Sequence, residues 1–114
     1  MKAVRLHGYG GVDQLRYEDV PTPEPGSDEV LVQVSATSLN PIEWKIRSGA
    51  VKDFIPVKFP AILGSDVAGT VVKAGVNVRN PEPGQKVMGY VKSSYAEYLT
   101  APADHLTVIP AVLT

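Results

Sequence analysis

The chain has 114 residues, 44% of them hydrophobic and 20% charged, with a formal net charge of −1; this is one domain, long enough to bury a core without staples. Its lysines and arginines are scattered singly, which excludes the basic face a nucleic-acid surface needs. No cysteine is present, excluding disulfides and thiolate metal sites, and "MKAVRLHGYGG" has no apolar run suited to a signal peptide or membrane span, so the expectation is a soluble, cytoplasmic domain.

Ten glycines and ten prolines punctuate short apolar runs, which favours a mainly β fold. "KAVRLH" is the first strand, stopped by the turn cluster "GYGG". "LRYEDV" is the second, with Leu15 and Tyr17 alternating against Arg16 and Glu18. Pro21, Pro23 and Pro25 then hold an extended, non-helical connection. "EVLVQVSA" has the clearest strand pattern, with Val30, Val32, Val34 and Ala36 on one side and Leu31, Gln33 and Ser35 on the other. "NPIEWKIRSG" changes the period. Asn40 stands at an N-cap, Pro41 at the first helical position and Glu43 where a capping box closes, and Gly49 is the stop; this predicts a helix of about two turns.

"AVKDFIPVKFP" reads as loop. "DVAGTVVKAG" is a strand with Gly69 inside it, and "VNVRNPEPG" is a turn region. "QKVMGYV", "YAEYLTA" and "HLTVIP" are the remaining strands. Many short strands with one small helix predict a barrel or sandwich.

Few chemical motifs stand out. Gly8 and Gly10 lack the third glycine and the helix of a phosphate loop, so they read as a turn. Ser35, Ser38, Ser48, Ser65, Ser93 and Ser94 lie in no nucleophile-elbow pattern. His7 and His105 read as surface or satisfied histidines. In "PAILGSDVAGTVV", Asp66 lies between Gly64 and Gly69, two points of bend or close backbone approach. It is open to four roles: catalytic group, metal ligand, partner of a cation, or turn residue.

Three stretches in order, "SLNPIEWKIRSG", "FPAILGSDVAGTVVKAG" and "PGQKVMGYVKSSYAEYLTAP", resemble the N-terminal part of medium-chain dehydrogenase/reductases. They are most similar to the zinc-independent branch of quinone oxidoreductases and NADPH-dependent enone reductases. The resemblance covers essentially the whole chain. It implies a GroES-like, partly open β-barrel with one or two short helices, spanning 1–114. The family's Rossmann domain and C-terminal return segment lie outside these residues, so the expectation is a substrate-side fragment, inactive by itself.

The resemblance also implies site residues. Zinc-dependent relatives have Cys where this chain has Asn40 and Gly-His-Glu where it has "GSD"; asparagine and serine are poor zinc ligands, so no metal is expected. Asn40 matches an asparagine near the nicotinamide and substrate, an amide able to donate to a developing oxyanion, or else serves only as the N-cap. Lys45 matches a cleft position of Tyr or Lys, able to stabilise an enolate or supply a proton, or else faces solvent. Tyr90 and Val91 match pocket-lining positions, with core packing as the alternative, and Trp44 reads as apolar cover.

Asp66, with Ser65 beside it, is implied to lie beneath the active site and pair with cations or polar groups, some of them outside these residues. The implied cofactor is NADPH, the implied substrate a quinone or enone, and the full-length form is compatible with a homodimer. A different class of function, a free-standing barrel for binding or assembly, would need a mobile apolar loop, for which "AVKDFIPVKFP" is the candidate.

Overall fold

A computed structural model describes residues 1–113. Two antiparallel sheets form an open barrel. The smaller joins β1 (Lys2–Leu6), β2 (Leu15–Asp19) and β4 (Ala61–Ile62) in the order β2-β1-β4. The larger joins β3 (Glu29–Ala36), β5 (Asp66–Ala74), β6 (Lys86–Tyr90), β7 (Tyr98–Pro102) and β8 (Leu106–Val108) in the order β7-β3-β5-β6-β8. One helix, α1 (Pro41–Ser48), follows β3, and single 3-10 turns cover Val12–Gln14 and Ala103–His105. The mainly β, partly open barrel expected from the sequence is what forms. No helix among the described residues is long and apolar enough to cross a membrane.

The core lies inside the larger sheet. Val30, Val32, Val67, Val71, Val87, Val91, Leu99 and Ala101 form one buried cluster, a β-branched set suited to a pleated surface. Strict alternation along β3 does not hold. Val30, Leu31 and Val32 are all buried, while Gln33, Ser35 and Ala36 are exposed. In its first half β3 buries side chains of both faces and is paired on both edges, to β5 and β7, and pairing to β5 slips at Leu31/Val32 and at Val34/Ala36. At this irregular end, a Cβ on Gly69 would stand 2.2 Å from the Gln33 carbonyl oxygen; glycine is what permits the close approach.

Two other expectations are corrected. β4, only two residues long, lies within "PAILG", where no strand was expected; it is defined by its pairing with Arg5 and Leu6 rather than by any period of its own. β7 begins at Tyr98, not at Tyr95, because Ser94 and Tyr95 are drawn aside to bind other segments.

Candidate functional site

The site forms where the chain leaves β3, enters α1, and returns at the start of β5. Asn40 takes the extended N-cap backbone (φ −120°, ψ 153°), Pro41 follows, and Gly49 ends the helix in the left-handed region at φ 84°. The helix forms where its local signals place it, but the capping box does not close. Asn40 makes no side-chain cap bond, and the Glu43 carboxylate turns instead to the Tyr95 hydroxyl, 3.1 Å away. Tertiary partners outcompete the local motif at both residues.

Released from capping, the Asn40 amide reaches across to β5. Its Nδ2 donates to Asp66 Oδ2 at 2.8 Å and to Ser38 Oγ at 3.0 Å, with a longer approach of 3.5 Å to Ser65 Oγ. Ser38 Oγ in turn donates to the same Asp66 oxygen at 2.5 Å. The Ser38 hydrogen bond, and then that from Asn40, holds the Asp66 carboxyl below its ordinary value against the opposing effect of burial. An ionised carboxylate only accepts, so the amide must present its NH2 and not its oxygen. Both Asn40 hydrogens are therefore committed, and Oδ1 has no partner among the described residues.

Below this arrangement lies a second polar layer. Thr37 Oγ1 donates to the Asp66 backbone oxygen at 2.7 Å and accepts from Ser94 Oγ at 2.7 Å. The Tyr95 phenol shares its proton between the Ser38 carbonyl and Glu43 Oε1, each 3.1 Å away. Burial first, then the Glu43 hydrogen bond, pushes the Tyr95 phenol up to about 12, so it stays a neutral donor. Gly64 allows this closeness. It adopts φ +106°, and a Cβ there would fall 2.2 Å from Ser94 Oγ and 2.9 Å from the Tyr95 ring.

A hollow of about 270 Å³ opens beside Asn40, walled by Leu39, Trp44, Arg47, Leu63 and Tyr95. Trp44 is half-exposed on its rim. Lys45 is exposed, with its ammonium 5.9 Å from the centre of the Trp44 ring, inside the range of a cation–π contact. Asn40, Ser65 and Asp66 thus come together, whereas Lys45 does not line the hollow and meets it only through its contact with Trp44.

Tyr90 and Val91 are placed differently. Tyr90 is exposed and is the β6 partner of Asp66, whereas Val91 belongs to the buried core. Both border a separate hollow with Thr100, Pro102 and His105. Sequence reasoning missed Thr37, Tyr95 and the role of Glu43, and saw Ser38 and Ser94 only as unpatterned serines. The alternating small and polar run "SATSLN" after a strong strand was the one local hint.

Comparison with known proteins places this geometry in a family. Residues 26–111 match the alcohol dehydrogenase GroES-like domain. The chain belongs to that family. This GroES-like domain is 45% identical over 113 residues to the chloroplastic quinone-oxidoreductase QR1 of Triphysaria versicolor, covering 95% of this chain and 34% of that protein. Among solved structures it superposes on human synaptic vesicle membrane protein VAT-1 homolog-like protein with a TM-score of 0.93 at 33% identity, covering all of this chain and 36% of that one. It superposes on the quinone oxidoreductase of Escherichia coli, solved in complex with NADPH, with a TM-score of 0.92 at 27% identity, covering all of this chain and 35% of that one. The domain therefore spans about a third of the length of such relatives.

Proposed function

We propose that this GroES-like domain is the N-terminal, substrate-side domain of an NADPH-dependent oxidoreductase that reduces quinones or α,β-unsaturated carbonyls without zinc. The observation that carries the reading is the donor set around Asp66. Its Oδ2 is ringed by an amide and a hydroxyl that point hydrogens at it, and a cation would have to displace both. Asparagine and serine in place of soft or imidazole ligands fit no catalytic zinc, which needs three protein ligands and an open position. Chemistry without a Lewis acid suits an electrophile that is already conjugated.

NADPH, held mainly by a second domain, would supply the hydride for the β-carbon or quinone ring, and the substrate oxygen would need a proton. The residues of this chain have distinct tasks. With its hydrogens committed to Asp66 and Ser38, Asn40 is not free to donate to a developing oxyanion as the resemblance implies, and would instead offer Oδ1 as an acceptor for an N–H or O–H of the nicotinamide half of the cofactor. That leaves Lys45 as the donor for the developing enolate or quinol oxygen. Leu39 and Trp44, both exposed on this domain, offer an apolar wall to a substrate, and Tyr90 lies opposite Asp66 on the neighbouring strand.

The test uses NADPH with 1,4-benzoquinone. The 114-residue chain alone is expected to give no steady NADPH oxidation. The same chain replacing the corresponding third of the Escherichia coli quinone oxidoreductase is expected to restore it, with no loss on adding a metal chelator. Turnover by the chain alone, or a chimera that needs zinc, overturns the reading.

A further inference from the structure

We propose that Tyr95, braced by Glu43, is the positioning residue that sets the Ser38–Asn40 turn against Asp66. Tyr95 touches neither Asn40 nor the Asp66 carboxylate by hydrogen bond, yet it is fastened to every segment that carries them. Its hydroxyl holds the Ser38 carbonyl. Its backbone N–H donates to Leu63 at 3.0 Å, and its carbonyl accepts from Val4 at 2.9 Å. Its ring packs against Gly64, two residues before Asp66. The neighbouring Ser94, 1% exposed, holds Thr37. One dipeptide therefore anchors both the turn before Asn40 and the turn before Asp66.

Ser38 is the point at which displacement would be felt. Its hydroxyl accepts from Asn40 and donates to Asp66, so a shift of this one residue weakens two contacts at the carboxylate together. Tyr95 restrains that residue through its carbonyl, and Glu43 orients the phenol from the first turn of α1. Glu43 is 7% exposed, an environment in which a charge-assisted hydrogen bond holds its geometry closely. The inference concerns the site of the proposed oxidoreductase and gains its catalytic meaning from that reading. Its test reads hydrogen-bond geometry in the 114-residue chain, so the two can fail separately.

In the ¹³C- and ¹⁵N-labelled chain, the Asp66 carboxyl titration and the Asn40 side-chain amide resonances report on the arrangement directly. Tyr95→Phe is expected to move the Asp66 midpoint up toward the ordinary carboxylate value and the Asn40 amide protons upfield toward those of a free asparagine. Leu99→Ala, a core change elsewhere, is expected to lower stability and move neither. A folded Tyr95→Phe chain with both signals at their wild-type positions overturns the proposal.

Should Tyr95→Phe not fold, Glu43→Gln carries the test, because the amide keeps a weaker, neutral acceptor for the phenol. The Tyr95 absorbance titration is then expected to fall from about 12 toward the ordinary 10.0, with the Asn40 resonances moving upfield. A lowered Tyr95 titration with unmoved Asn40 resonances overturns the proposal equally.

Discussion

The two ends of β3 are held by different physics. Its first half sits in the valine-rich cluster, where Val30 and Val32 are fully buried against β5 and β7. Contact there is non-directional, and roughly the right volume suffices. Beyond Ala36 the same segment turns polar, and Thr37, Ser38 and Asn40 are held by hydrogen bonds to β5 and to the Ser94–Tyr95 dipeptide. Contact there is directional, and each donor has an assigned acceptor. A domain can thus carry a deformable scaffold on a strand and a narrowly defined site on the segment that follows it, provided the handover falls where pairing is already irregular.

Three substitutions test that contrast, and the largest effect is expected at the seam. Gly64→Ala adds a Cβ into Ser94 and the Tyr95 ring at a positive φ. Strain and overpacking together should cost about 4 kcal/mol, read as a lowered urea midpoint. A near-neutral result would show that the polar end is as deformable as the core. Leu99→Ala, at a residue 1% exposed, should cost about 3 kcal/mol through the cavity it leaves. Asn40 resonances unchanged after that loss would separate the two ends cleanly, and a change would couple them.

The smallest effect on stability is expected from Asp66→Asn, and it should depend on pH. The folded carboxyl titrates below its ordinary value of 3.8. Its contribution is therefore complete above that value and is lost as pH falls through the lower, folded one. The variant should be less stable than the parent near neutrality, with the gap closing in acid. Urea midpoints measured from neutral pH down to pH about 2 would show this, and a gap independent of pH would deny the ionised acceptor its role.

Much of this was legible locally. Asn40, Pro41 and Gly49 delimit α1 because an extended backbone before the helix, a fixed φ and a left-handed stop act within a few residues, even though the Asn40 side chain makes no cap bond. The short runs "LRYEDV" and "QKVMGYV", set off by turn residues, mark β2 and β6 for the same reason. In β2, however, Tyr17 is exposed and Glu18 half-buried, against the alternation expected. Glu43 misled because its spacing from Asn40 satisfies a local motif, and only the fold brings in the competing phenol from 52 residues away. β4 escaped notice because two residues carry no period.

By itself the sequence determined a mainly β fold, the position of its helix, and the family to which it belongs, since propensity, turn chemistry and motif order are properties of neighbours along the chain. Only the tertiary structure decided what Asn40 and Asp66 do. Their bond joins residues 26 apart, and which of several acceptors an amide chooses depends on what the fold places within about 3 Å of it.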